Sequence, residues 1–441
     1  MLALAKSLEV SAQGPTTYTV GIQVANLDRT NTANITITYY NQDGTVNTTF
    51  SDTIAPASSN TYFPIHPSDG FNGSAVISSD RRIAAIANIL GDGGAFGGGS
   101  YDSFTQGATS AYVPLVLRNY YGISTWFNVQ NTGSVDANVT VTYAGSPTPT
   151  CTETAAIKPG AAATFDQSTS ACLADGFIGA ATVTTGGADQ TIAVAVVQID
   201  HQSLLAYNGF TTAGSTNPVM PLVSHGYYNS RTAIQIQNTG TQSTDVTVTY
   251  TPSAGFPGQT CSETKTIPPG QSVNFGDTPL FEAPGYPCGP MTGGASGFVG
   301  SAKVTGNSTN QPLVAIVNSV TTGTPNAAAY SAFDAAMATD KVSLPLIMDR
   351  NYGIFTGFSI ANVGTQPTTI NCTFSGTTYT VSQTNVQPGA ALTDVQLNKI
   401  ADRYVGAAIC TATGGDALIV GVVSQLGVTG DALLYYEGFN Y

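Results

Sequence analysis

The residues able to do chemistry are few and scattered. Three histidines, His66, His201 and His225, stand far apart, without the i,i+4 or strand-alternate spacing of a metal-binding pair. They read as surface or loop residues. Nucleophile elbows, His-Glu-x-x-His and phosphate loops do not occur in the sequence, and the glycine-rich stretch Gly91 to Gly99 reads as a hairpin loop. Carboxylates such as Asp80, Asp92, Asp102 and Glu437 look isolated, and a hydrolytic pair would have to form by folding. Lys158, Lys265, Lys303 and Lys341 occupy unmatched places, which argues against an isopeptide bond in every unit. No catalytic, cofactor-binding or metal-binding residue is assigned, and the chain is not expected to be an enzyme.

Cysteine usage is more regular. Cys151 and Cys261 each sit eight residues before a Pro-Gly, at Pro159-Gly160 and Pro269-Gly270. The remaining cysteines are Cys172, Cys288, Cys372 and Cys410, so three successive stretches hold one even pair each. In the last stretch Thr380 takes the register of Cys151, and the pair lies on two expected strands. Redox catalysis would require fixed geometry and an activated thiolate. The pattern reads as three structural disulfides, each contributing about 3 kcal/mol by loop entropy, in an oxidising compartment.

The elements that must hold these residues repeat four times. Gly70-Phe71-Asn72-Gly73-Ser74-Ala75 returns as Gly176-Phe177-Ile178-Gly179-Ala180-Ala181, Gly297-Phe298-Val299-Gly300-Ser301-Ala302 and Arg403-Tyr404-Val405-Gly406-Ala407-Ala408. A second phrase ends at Asn26, Asn131, Asn238 and Asn362, spaced 105, 107 and 124 residues apart. A Tyr-x-x-Phe frame closes each unit at Tyr101, Tyr207, Tyr330 and Tyr436. Four modules follow, with bounds 1–108, 109–215, 216–339 and 340–441.

Within a module the apolar period is two. Phe127 and Val129 alternate with Trp126, Asn128 and Gln130, and Val139, Val141 and Tyr143 with Thr140 and Thr142. Asn131-Thr132-Gly133 supplies turn chemistry between the two runs. Denser apolar runs, Ile83 to Ile89, Ile192 to Val197, Leu313 to Val317 and Leu418 to Val423, fit central strands. Short strands at this spacing predict an all-β chain of four tandem immunoglobulin-like antiparallel β-sandwich domains, each large enough to bury its own core. The Cys-Trp-Cys signature of true immunoglobulin domains is missing. One short helix is expected, over Asn326 to Ala338.

Modules two to four open on a Pro-Leu strand, at Pro114-Leu115, Pro221-Leu222 and Pro345-Leu346, which runs into Tyr120-Tyr121-Gly122, Tyr227-Tyr228-Asn229 or Asn351-Tyr352-Gly353. The first module has Leu8-Glu9-Val10-Ser11-Ala12-Gln13-Gly14 instead. One reading is an atypical terminal unit; the other makes residues 1 to 17 an arm that adds a strand to a neighbouring copy.

Only 9% of residues are charged, against roughly 25% in ordinary soluble domains. A net charge of −13 leaves no basic stripe for nucleic acid. No apolar run is long enough for a transmembrane helix, and Met1 to Ala5 lacks the basic start of a full secretory signal. Candidate N-glycosylation sites are Asn34, Asn47, Asn72, Asn138, Asn307 and Asn371. The 21 tyrosines include Tyr112, Tyr120 and Tyr121, bunched near a module junction and expected to pack there or to meet glycans.

The combination Pro-Leu, Tyr-Tyr-Gly, Val-Gln-Asn-Thr-Gly, Val-Thr-Val-Thr-Tyr, Pro-Gly and Gly-Phe-Ile-Gly-Ala-Ala, read over residues 114 to 181, resembles the tandem immunoglobulin-like modules of uncharacterised secreted surface proteins of filamentous bacteria such as Chloroflexota. The resemblance implies an exported surface protein without assigned activity. The expectation is an extracellular structural protein that self-associates into a filament or sheath, with an adhesin stalk or carbohydrate-binding surface protein as the alternative.

Overall fold

The computed structural model describes the chain except for residues 1–14, 16, 149, 201, 277–278, 283–287, 289–296 and 428–432. It is all-β, built of antiparallel sheets. The second repeat shows the plan. One sheet runs Thr150–Ile157, Ala137–Ser146, Phe177–Thr185, Ser110–Arg118; the other runs Ala162–Asp166, Ile123–Asn131, Ile192–Asp200, Ser203–Asn208. Val139, Val141 and Tyr143 from the first meet Phe127, Val129 and Val194 from the second in one core, while Thr140 and Thr142 face outward, as strand alternation dictates. The fourth repeat follows the same plan, and in the third a His225 to Arg231 pairing joins the two sheets into one.

The stretch expected to be helical is not. Ala327–Ser331 is a strand and Phe333–Asp334 a second, followed by a 3-10 turn at Ala335–Met337. Alanine favours helix locally, but pairing with Ile316 to Val320 buries every residue of Ala327–Ser331, and tertiary context overrides propensity. Gly91 to Gly99 does form a hairpin connection: Ile83–Gly91 pairs with Gly97–Asp102, and a 3-10 turn at Asp92–Gly94 lies between them.

The recurring phrases have physical causes. Asn26, Asn131, Asn238 and Asn362 are buried, and their side-chain amides donate to the carbonyls of Ile54 (3.0 Å), Ile157 (2.8 Å), Ile267 (3.0 Å) and Val386 (2.9 Å), the apolar residue ahead of each proline turn. Each also donates within its own turn, to Asn31, Val135, Gln242 or Gln366. Each Oδ1 accepts a backbone N–H two residues on. Asn131→Asp removes the donors while keeping the shape. It is expected to lower stability by about 2 kcal/mol, because a buried carbonyl loses its partner; urea unfolding measures the shift.

In the Gly-Phe-x-Gly phrase, a Cβ on Gly73, Gly179 or Gly300 would run into the carbonyl of Tyr40, Ala144 or Thr251 on the neighbouring strand. The closing tyrosine ties the last strand to the Pro-Leu strand. Tyr207, Tyr330 and Tyr436 donate to the carbonyls of Leu115, Leu222 and Leu346 at 2.6, 2.6 and 2.7 Å.

The repeats do not stand in series. Strands Gly97–Asp102, Ser203–Asn208, Ala327–Ser331 and Leu433–Glu437 pack around one axis, each on the next and the last on the first, so the chain closes into a ring. Leu204 and Ala206 lie on Ile89 and Phe96 of the first repeat. Ala327 and Ala329 enter the second repeat's core, Leu433 and Tyr435 the third's, and Ile86 the fourth's. The cores are continuous across the seams, which corrects the expectation of self-sufficient units. The seams also repeat: Ser74 donates to the Gly160 carbonyl at 2.5 Å, Ser301 to that of Gly389, and Asn88 bonds Gln425 (2.9 Å) as Asn318 bonds Gln198 (3.0 Å). Side-chain size alternates around the axis. The first and third axial strands present Gly98, Gly99, Ala327 and Ala328, the second and fourth Leu204, Leu205, Leu433 and Leu434, and the two small strands touch across the centre.

Candidate functional site

The ring brings together the residue that follows the closing tyrosine in every repeat: Asp102, Asn208, Ser331 and Glu437. Asn208 and Asp102 exchange side-chain to backbone bonds, Asp102 N–H to Asn208 Oδ1 and Asn208 Nδ2 to the Asp102 carbonyl, both 2.7 Å. Ser331 Oγ donates to the Asn208 carbonyl at 3.0 Å, and Ser331 N–H donates to Glu437 Oε1. Asp102 and Glu437, which look isolated in sequence, interact side chain to side chain.

Burial dominates the electrostatics. It pushes the Glu437 carboxyl up to about 7, and it pushes Asp102 well above the usual carboxylate range, with the Glu437 charge adding to the effect. A carboxylate withdrawn from water favours its neutral form, and a second beside it strengthens that preference. Such a pair can hold or release a proton near neutral pH. The inter-repeat grooves are lined elsewhere, one by Thr251, Lys303 and Pro388 and another by Phe210, Leu313 and Asp334, and neither reaches the pair. Its position among the four axial strands suits it to governing ring closure. Asp80 is exposed and holds Asn34, and Asp92 holds Thr17, so the remaining two carboxylates serve turns.

A second constellation lies on the hairpin tips. Tyr121-Gly122 and Tyr352-Gly353 have φ of 51° and 82°, and Tyr228-Asn229 has 47° and 63°. Two central residues with positive φ make a type I′ turn, the province of Asn-Gly; a bulky residue there costs about 1 kcal/mol. Tyr121, Tyr352 and Tyr228 are 59%, 85% and 62% exposed. Tyr120 and Tyr227 brace Tyr121 and Tyr228 edge to face at 4.8 and 4.7 Å, and Arg403 lies over Tyr352 at 5.7 Å. Of the two expectations for Tyr121, packing at a junction or meeting glycans, the first is not met, since the residue projects into solvent.

The other sequence candidates fall as follows. Cys151 bridges to Cys172, Cys261 to Cys288, and Cys372 to Cys410, the last as directly opposed residues on neighbouring strands. Asn34, Asn47, Asn72, Asn138 and Asn371 are exposed; Asn307 is half-buried, its amide bonded to the Gln311 carbonyl. His66 is exposed and stacks on Phe50 at 3.6 Å. His225, expected at the surface, is buried and stacks on Phe281 at 4.7 Å, because the segment carrying Phe281 folds over it. His201 lies outside the described residues. Among the described residues no three metal-ligating side chains converge, and no helix is long and apolar enough to cross a membrane.

No known protein family matches the chain, and no curated protein is similar to it. The three disulfides place the chain among proteins of non-cytoplasmic compartments.

Proposed function

We propose that the chain is an extracellular structural protein, four immunoglobulin-like domains with the bounds 1–108, 109–215, 216–339 and 340–441, and that it is the repeating subunit of a cell-surface filament or sheath. The observation that carries this reading is the outer face of the sheets. In the second repeat Thr140 lies between Thr154 and Thr184, and Thr142 between Thr152 and Thr182, a hydroxyl grid with no net charge. In the third, Thr247 bonds Thr264 and Thr249 bonds Thr305 at 2.8 and 2.9 Å. Faces of this kind repel each other weakly and offer hydrogen bonds to a like surface. Sandwiches bridged by disulfides and locked in a ring resist extension. Electron microscopy of native surface material decides: regular assemblies containing this chain are the expected result, and a chain found only as dispersed monomer overturns it.

The exposed tyrosine tips favour a second reading, a carbohydrate-binding surface protein, since sugar rings stack on aromatic faces. Retention on a glycan array that Tyr121→Ala, Tyr228→Ala and Tyr352→Ala together abolish is the result expected of it.

A further inference from the structure

Three repeats place a Pro-Leu strand on the outer edge of the Gly-Phe strand. Ser110–Arg118 pairs with Phe177–Thr185, Pro218–His225 with Phe298–Asn307, and Lys341–Asp349 with Tyr404–Thr413. In the first repeat the corresponding sheet runs Val46–Ile54, Ala33–Asn41, Gly73–Ser79 and stops there: among the described residues no strand covers the outer edge of Gly73–Ser79. Packing registers the gap. Phe177, Ala181 and Val183 are buried in the second repeat, whereas their counterparts Phe71, Ala75 and Ile77 are half-exposed. Among the described residues Tyr101 has no counterpart of the hydrogen bond that Tyr207, Tyr330 and Tyr436 make to a Pro-Leu carbonyl.

The turn chemistry says where the missing strand goes. In the second and fourth repeats Tyr121-Gly122 and Tyr352-Gly353 fold the preceding strand back through a type I′ turn. Thr16-Thr17 stands at those positions in the first repeat, and β-branched residues do not fit them. Thr17 instead prolongs the pairing of Tyr18 with Gly91: its N–H donates to Asp92 Oδ1 at 2.9 Å, and its carbonyl accepts from Asp92 N–H at 2.9 Å. Pro15 lies against Gly91. Pro15 and Thr17 therefore lie on the opposite sheet, the one that holds Tyr18–Asn26 and Ile83–Gly91.

We infer that the outer edge of Gly73–Ser79 is an acceptor for an extended strand, and that its occupant is residues 5–13 of a second copy. Leu8 and Val10 take the places of Val113 and Leu115, which are buried in the second repeat. Gly14 joins the donor to Pro15 and Thr17, which are held on the ring. Each copy offers one donor and one acceptor, so the contact is head-to-tail and propagates without closing. This rests on the structural reading above and gives the assembly its joint.

Two cysteine variants test it. If the donor copies the register of Ser110 on Thr184, Ala5→Cys on one copy faces Ser78→Cys on another. Mixing the two single variants under oxidising conditions is expected to yield disulfide-linked dimers, and the double variant a ladder of linked chains; a link formed only within one chain overturns the inference. Protein lacking residues 1–14 is expected to sediment as single rings, and a peptide of residues 5–13 to raise its melting temperature by several degrees. No response to the peptide also overturns it. Native filaments that persist without residues 1–14 refute the joint alone, whereas a native surface without filaments refutes the structural reading and leaves the cysteine result to be read by itself.

Discussion

Glu437→Gln is expected to stabilise the ring at pH 8 and to flatten its pH profile. Burial raises the Glu437 carboxyl from an ordinary 4.5 to about 7, so between those values the folded protein holds a proton that the unfolded chain has released. Stability falls with rising pH wherever the native state binds more protons. Wild-type protein should therefore lose stability across that window, by at most about 3 kcal/mol from this group, and Asp102, raised by the same burial, adds a loss of the same sign. Glutamine keeps the acceptor for Ser331 N–H and has no charge to bury. Melting temperatures of the two proteins from pH 5 to pH 8 test this: they should converge at the acidic end and separate at the basic end. Parallel curves would mean that the axial pair is not desolvated.

Gly99→Val is expected to open the ring while leaving the sandwiches folded. A Cβ on Gly99 would stand 2.5 Å from the Ala206 backbone nitrogen and 2.7 Å from its Cβ, and backbone cannot yield as a long side chain can. Strand geometry at Gly99 is ordinary, so the strain falls on the seam between the first two repeats, about 3 kcal/mol by analogy with overpacked cores. X-ray scattering should report a larger radius, and amide exchange should quicken in Ser203–Asn208 while Ala137–Ser146 stays protected. Unchanged scattering would mean that the seam absorbs the extra methyl groups.

Much of the architecture was legible because it is local. Alternation in Val139 to Tyr143, the turn at Asn131-Thr132-Gly133 and the paired cysteines depend on neighbours within one repeat. Ring closure does not: Asn88 meets Gln425 across 337 positions, and no period within a repeat encodes that contact. A clue was nevertheless present. Aligning the four closing tyrosines sets Asp102, Asn208, Ser331 and Glu437 in one column, polar throughout yet different in each unit, as expected of groups that meet their own counterparts. Considered along the chain instead, Asp102 and Glu437 look unrelated. The helix expected over Asn326 to Ala338 failed because alanine propensity is weak beside burial between two neighbours, and His225 was misplaced because its cover, Phe281, lies in a segment particular to the third repeat.

The alternation of glycine and alanine strands with leucine strands about the axis bears on how this gene can change length. Inserting or deleting a single unit would set two leucine strands shoulder to shoulder, or two small ones with a void between them, and the circle would no longer fit. Relatives that keep the ring should therefore differ by an even number of units, with duplication acting on the pair as its heritable quantum.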